Sequence, residues 1–285
     1  MGDSFILTAD VLQNAFPQER VQVPKAASCF STDWINKSDK SAIVTTWARH
    51  QSDVREAQRL RYEVFADEMG AILPDIVPGH DIDIFDDYCE HLLVRDRETW
   101  QVIGTYRVLT PAQAKLAERI YSDCEFDLTP LQPLRDHMAE IGRSCVRKNY
   151  RHGGVIMALW KALVNFMVRH QLKDIMGCVS IPMNLEVGGD KRVDAGHAAA
   201  SIWRQMQDKH LASIEYQVKP HLPLPVDTLD QTLDIDPPAL IKGYLRVGAK
   251  VLGAPAWDPN FNTADLPMLM RMDDLPERYR KHFLG

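Results

Sequence analysis

Glu140-Ile141-Gly142-Arg143-Ser144-Cys145-Val146 runs directly into Arg147-Lys148-Asn149-Tyr150-Arg151-His152-Gly153-Gly154, and a long apolar stretch follows. Ala139 to Val146 reads as a strand. Gly154 to Gln171 reads as a helix that is apolar almost all round. Its polar residues Lys161, Asn165 and Arg169 form one narrow stripe, which predicts burial on most sides. Between strand and helix lies a basic loop in which Gly153 and Gly154 permit close backbone approach and unusual φ/ψ. No Ser, Thr, Asp or Asn stands immediately ahead of Val155 as a cap. The free N–H groups of the helix, with Arg147, Lys148 and Arg151, would suit an anion such as phosphate. A Gly-Gly pair before a helix is also often only a turn.

Working outward, Ala42 to Trp47 is a β-branched run that predicts a strand. Asp53, with Glu56 three residues on, resembles a capping-box start. Val54, Ala57, Leu60, Val64, Phe65 and Met69 then recur at helical spacing. His91–Val94 and Val102–Leu109 predict two strands joined by a polar hairpin turn, Asp96–Gln101. Downstream come a short strand, Asp174–Ser180, and a helix, Ala195–His210. A proline-rich linker follows (Pro220, Pro223, Pro225, Pro237, Pro238), then a tail, Leu240–Phe283, of mixed signals. Residues 1–41 show no sustained period and read as an irregular extension to a main domain at 42–285. The order β-α-β-β-α-β-loop-α-β-α predicts an α/β fold with one central sheet.

Composition narrows the class. The chain has 285 residues, enough to bury a core without disulfides or metal. Its net charge of −6 argues against bulk binding to nucleic acid. Five cysteines (Cys29, Cys89, Cys124, Cys145, Cys178) are odd in number, with no CxxC, so free thiols, a reducing cytoplasm and no zinc site are expected. No apolar run is long enough to span a membrane, and Met1–Gln13 lacks the features of a secretory signal.

Three charges sit where apolar side chains are expected. Arg61 lies on the apolar face of its helix, four residues after Ala57 and four before Phe65. Arg107 alternates with Ile103, Thr105 and Leu109. Glu140 shares a strand face with Gly142 and Ser144, whose small side chains leave room beside it. Buried charge is costly unless paired, so one shared polar site is the simplest account; separate routes to solvent for each arginine are the alternative. The segment 74–94 holds Asp75, Asp81, Asp83, Asp86, Asp87 and Glu90 with no Lys or Arg. Its spacing fits neither a calcium loop nor a zinc site. It reads as a solvated loop, or as carboxylates that bind a cationic substrate or hold Arg61 and Arg107.

The series Leu60-Arg61-Tyr62-Glu63-Val64-Phe65, Asp83-Ile84-Phe85-Asp86-Asp87, His91-Leu92-Leu93-Val94, Gly104-Thr105-Tyr106-Arg107-Val108-Leu109 and Glu140-Ile141-Gly142-Arg143 resembles the GNAT-superfamily N-acyltransferases that use acyl carrier protein. The tail, Leu240 to Ala249 and Pro255 to Asp265, is similar to the L-ornithine N-alpha-acyltransferase branch. Acyl-homoserine-lactone synthases share only the first half, at Arg61, Phe65, Asp83, Asp86, Arg107, Glu140 and Arg143. The resemblance implies a GNAT fold: a mixed central sheet splayed between its fourth and fifth strands, with helices on both faces and the acyl-pantetheine arm in the opening. Arg151 and Gly154 fit the superfamily's Arg/Gln-x-x-Gly-x-Gly/Ala loop, but Ile156 replaces its last small residue. A bulky residue there would hinder the coenzyme A pyrophosphate, so acyl carrier protein, with its single 4'-phosphopantetheine phosphate, is the expected donor. No bound cofactor and no metal are expected.

The expected reaction is transfer of a (3-hydroxy)fatty acyl chain to the α-amine of L-ornithine, giving lyso-ornithine lipid. Glu140 would be the general base. Arg61, Asp83, Asp86, Arg107 and Arg143 would form an ion-paired framework shaping the acceptor pocket. Val146, Arg147, Arg151, Gly153 and Gly154 would receive the phosphopantetheine arm. Backbone N–H groups of the Glu140–Val146 strand would hold the oxyanion, and Cys145 would be packing. The alternatives are an acyl-homoserine-lactone or other N-acyl amino acid synthase with lysine, glutamine or glycine as acceptor, or a non-catalytic protein that binds acyl carrier protein. The tail Arg278–Phe283 could touch an anionic membrane surface, or could be a solvated helix end.

Overall fold

A computed structural model describes residues 42–285 apart from 152, 188–190 and 194–195. The extension expected at 1–41, His152 and Ala195 therefore lie outside the described residues. Eight strands form one mixed sheet: β1 (Ile43–Trp47), β2 (Glu90–Asp96), β3 (Val102–Leu109), β4 (Met138–Val146), β5 (Asp174–Pro182), β6 (Lys250–Val251), β7 (Ala256–Asp258) and β8 (Thr263–Arg271). The main helices are α1 (Gln51–Tyr62), α2 (Pro111–Leu116), α3 (Gly154–Arg169), α4 (His197–Lys209), α5 (Ala239–Arg246) and α6 (Glu277–Leu284). The spatial order is β1-β2-β3-β4-β5-β8-β6, and β7 pairs with the start of β8. Every pairing is antiparallel except β4 with β5.

Both faces of the sheet are covered. On one, Leu92, Val94, Ile103, Tyr106 and Val108 pack with Val155, Leu159, Leu163 and Met167 of α3. On the other, Leu93, Val102 and Cys145 pack with Ala57, Leu60, Val64 and Phe65 of α1 and the π-helical turn Glu63–Glu68 that prolongs it. Successive residues of β2 thus face opposite layers, which accounts for its continuous apolar run. Beyond β5, α4 packs Ala198, Ala199, Ile202 and Trp203 against Val179, Ile181 and Leu266.

Three readings change. The start of α1 lies earlier than the Asp53/Glu56 pattern suggests. Asp53 Oδ2 accepts from the backbone N–H groups of Arg49 (3.0 Å) and His50 (3.1 Å), so Asp53 stands inside the first turn. Glu56 instead meets Arg95, 2.7 Å away, and ties α1 to β2. The proline-rich stretch is no free linker: Lys219–Pro220 pairs with Phe126–Asp127, and Leu224 and Ile235 are buried. The tail holds a nine-residue central strand, β8, that pairs along all of β5. Pro267 conceals it, because a proline lacks the ladder donor and argues against a central strand.

Candidate active site

The parallel β4–β5 pair is short. It spans Met138↔Asp174, Ala139↔Ile175 and Glu140↔Met176, and then the strands part. β5 stays paired with β8 along its whole length, while β4 follows β3. The β4 edge facing β5 therefore has no ladder beyond Glu140. Opposite Tyr106, β4 also bulges at Arg143 and Ser144, with Arg143 at φ +50°. A cavity of about 370 Å³ fills the opening.

Glu140 stands at the fork and lines that cavity, 6% exposed. Its Oε1 accepts from Ser122 N (2.7 Å) and Ser122 Oγ (2.6 Å), and its Oε2 from Tyr121 N (2.7 Å). Burial raises its pKa, and these donors from the turn Tyr121–Cys124 only partly offset the rise. Such a carboxylate has a fixed direction and enhanced basicity. Gly142 and Ser144 line the same cavity, and so do Ile141, Arg143, Cys145 and Val146, so the lining follows the unpaired edge of β4 and not one strand face.

Behind the wall three arginines and three aspartates neutralise one another. Arg61 bonds Asp81 through Nε (2.7 Å) and Asp86 through both terminal nitrogens (2.9 and 2.7 Å). Arg107 meets Asp83 and, at 3.0 Å, Asp86. Arg143 reaches Asp83 (3.1 Å) and Asp81 (3.2 Å). Burial opposes the charge of Arg61, yet Asp81 and Asp86 hold its pKa above the usual range. Burial likewise opposes ionisation of Asp83 and Asp86, and the arginines outweigh it and lower both. Arg107 and Arg143 line the cavity; Arg61, Asp83 and Asp86 do not. Arg143 lies over the rings of Tyr121 (4.9 Å) and Phe261 (5.1 Å).

At the loop, Arg147 pairs with Glu63 (3.0 Å). Arg151 pairs with Glu68 (2.7 Å) and donates Nε–H to the carbonyl of Val146 (2.8 Å). Lys148 is exposed. Gly153 sits at φ +99° as the residue preceding Gly154, the first residue of α3, and among the described residues no side chain caps that helix. Val146 and Arg151 line the cavity mouth. Ile156 packs against the apolar cluster beneath α3. Cys145 is buried, and burial pushes its thiol up to about 12, so it is unfit as a nucleophile at neutral pH. Among the described residues Cys89, Cys124 and Cys178 are free thiols as well.

The cavity has two ends. Trp160, Leu163, Val164, Tyr244, Met270 and Phe283 make one apolar. There the Tyr106 and Tyr244 hydroxyls share a hydrogen bond and Trp160 Nε1 donates to Tyr106 (3.4 Å). Phe283, at the end of the basic tail, is 2% exposed and closes this end instead of facing solvent. The other end carries three carboxylates to which the sequence reading assigned no role, Glu125, Asp258 and Asp265, with oxygens within 4.8 Å of one another. Burial, then Asp265 and Asp258, raise the pKa of Glu125. Burial pushes Asp265 up to about 6. Asp258 and Asp265 stand in the tail motif, but Glu125 had no periodic or motif signal to mark it.

Comparison with known proteins places this geometry. Residues 60–161 match the acetyltransferase (GNAT) domain family. The chain is 31% identical over 247 residues to an L-ornithine N(alpha)-acyltransferase of Rhodobacter capsulatus, covering 83% of this chain and 92% of that protein. It is 30% identical over 251 residues to the L-ornithine N(alpha)-acyltransferase of Brucella abortus, covering 83% and 86%. The chain belongs to the L-ornithine N(alpha)-acyltransferase family. Among solved structures, a CoA-dependent acyl-homoserine lactone synthase aligns with a TM-score of 0.49 at 15% identity, over 85% of this chain and 89% of that one. The protein is an N-acyltransferase with a GNAT-type mixed sheet, parted between its fourth and fifth strands. No helix among the described residues is long and apolar enough to cross a membrane.

Proposed function

We propose that the enzyme transfers a (3-hydroxy)fatty acyl chain from acyl carrier protein to the α-amino group of L-ornithine, giving lyso-ornithine lipid. Residues 42–285 form the catalytic domain, and contact with the membrane surface is peripheral. The observation that carries this reading is the parting of β4 and β5 immediately after Glu140, around a cavity apolar at one end and acidic at the other. The activity for which the relatives are named points to the same acceptor.

In this reading the acyl chain occupies the apolar end, and the pantetheine arm leaves past Val146, Arg151 and the uncapped start of α3, with Gly153 and Gly154 giving its phosphate close access. Arg147 and Lys148 face the acidic carrier protein. Glu140 accepts a proton from the α-ammonium, directly or through one water, because only the free amine attacks a thioester. The amine nitrogen bonds to the carbonyl carbon, and N–H groups of the unpaired β4 edge stabilise the oxyanion. Collapse breaks the C–S bond, the attacking nitrogen passes its surplus proton to the departing pantetheine thiolate, and Glu140 releases the first proton to solvent, leaving an amide and a thiol. The framework of Arg61, Arg107, Arg143, Asp83 and Asp86, balanced by Asp81, keeps the pocket wall rigid and locally neutral.

The test is mass spectrometry of reactions containing purified enzyme, acyl-loaded carrier protein and L-ornithine. N-acyl-ornithine with a free carboxylate is expected, with acyl-coenzyme A a poorer donor. Efficient turnover of coenzyme A thioesters without carrier-protein binding would overturn the donor. Glu140→Gln is expected to keep the fold by circular dichroism and lower kcat by about 100-fold or more; near wild-type kcat would remove Glu140 from the chemistry.

A further inference from the structure

The acidic end of the cavity is built from three separate parts of the chain. Glu125 follows the turn whose backbone N–H groups hold Glu140, Asp258 ends β7, and Asp265 lies in β8. Asp265 is 5% exposed. Its Oδ1 accepts from Thr263 Oγ1 at 3.0 Å, and Asp258 Oδ1 accepts from the N–H groups of Asn260 (2.8 Å) and Phe261 (3.1 Å). Glu125 Oε2, by contrast, is fully buried with no hydrogen-bond partner, on the wall of the same cavity. Among the described residues no lysine or arginine forms an ion pair with any of the three, although the neighbouring framework pairs every one of its charges.

A buried acceptor without a donor is destabilising unless a ligand supplies one. Three converging carboxylates raise that cost by repelling each other. We propose that Glu125, Asp258 and Asp265 form the subsite for the side-chain ammonium of the acceptor amino acid, and so select a diamino acid over a neutral one. This rests on the acyl-transfer reading above and goes beyond it by assigning the residues that choose the acceptor. An ammonium carries three N–H donors and no acceptor, which suits three acceptor groups around one point. A divalent cation fits less well, since calcium takes six to eight oxygens and magnesium a near-octahedral shell. The subsite and the base are linked through one turn: Tyr121 and Ser122 orient Glu140, and Glu125 follows three residues after Ser122. The side-chain nitrogen would be held at one end of that turn while the α-nitrogen is presented at the other.

The experiment compares L-ornithine with L-norvaline, which has the same carbon chain without the terminal amine, as acceptors for the full-length enzyme. Wild type is expected to prefer ornithine. Glu125→Gln and, separately, Asp258→Asn should raise the KM for ornithine by about tenfold or more, change kcat only a few-fold, and leave kcat/KM for norvaline unchanged or improved. Asp258 lies on a separate strand and keeps the test open should the Glu125 variant fail to fold. Equal losses with both acceptors, or an unchanged KM for ornithine, would overturn the subsite. So would activity abolished by EDTA and restored by calcium or magnesium, which would make the trio a metal site. If wild type acylates both acceptors equally well, the subsite fails and the acyltransferase reading stands. If it acylates neither, both fall.

Discussion

Asp265 shows how an acyltransferase pocket is maintained against its own stability. Its pKa rises from the ordinary 3.8 to about 6, chiefly through burial, with Asp258 adding to the rise and the Ser180, Thr263 and Arg143 side chains opposing it. Around pH 5 the folded state holds a proton that the unfolded state has released. Stability linked to this group is therefore present at low pH and lost as pH rises through about 6. Asp265→Asn should be more stable than wild type at pH 7.5, by on the order of 2–3 kcal/mol, and nearly equal to it at pH 4. Urea midpoints at the two pH values check this; equal destabilisation at both would mean that the aspartate is structural. Asp83 and Asp86 run the other way, because their lowered pKa values add stability above the normal carboxylate range that is lost on acidification. These residues differ in legibility. Arg61, Arg107 and Glu140 were visible because a charge on an apolar stripe, or beside small neighbours, breaks a period. Glu125 breaks none, and only its approach to Asp258 and Asp265 in space marks it.

The element that makes the site is the fork. A parallel pair is held by backbone bonds whose loss must be compensated, yet β4 and β5 separate after three residue pairs. Each keeps its other neighbour, β3 and β8, so the opening forms where two well-paired half-sheets diverge. Gly177 sits at this divergence. A Cβ there would lie 2.5 Å from the carbonyl oxygen of Ile141, a backbone atom that cannot swing aside. Gly177→Ala is therefore expected to push the strands apart, costing about 1–3 kcal/mol, read as a lowered denaturant midpoint with an unchanged m-value. A midpoint equal to wild type would show that the fork is pliable. Periodicity located β1 to β5, α1 and α3, since each buries a regular face. It did not locate β8, where Pro267 removes a donor and the long neighbour β5 comes from a distant part of the chain.

For the whole molecule, the cavity crosses a boundary between packed layers. Trp160 and Leu163 belong to the cluster beneath α3, while Met268 comes from the cluster beneath α4. An occupant that fills it should bind the folded state alone and brace both halves. A non-hydrolysable acyl-pantetheine at 100 times its Kd should add about 2.7 kcal/mol of stability, a Tm rise of about 5–10 °C for a chain of this size. Equal protection by pantetheine without the acyl chain, at the same concentration, would contradict the assignment of the apolar end. By itself the sequence determined the α/β class, the strand–loop–helix unit from Glu140 to Gln171, the buried ionic framework and the family likeness, because period, charge placement and motif order are properties of the chain read along its length. Tertiary structure alone decided which carboxylates converge, where β8 inserts, and that Phe283 lines a buried cavity. Those depend on contacts between residues far apart in the chain, on which local periodicity carries no information.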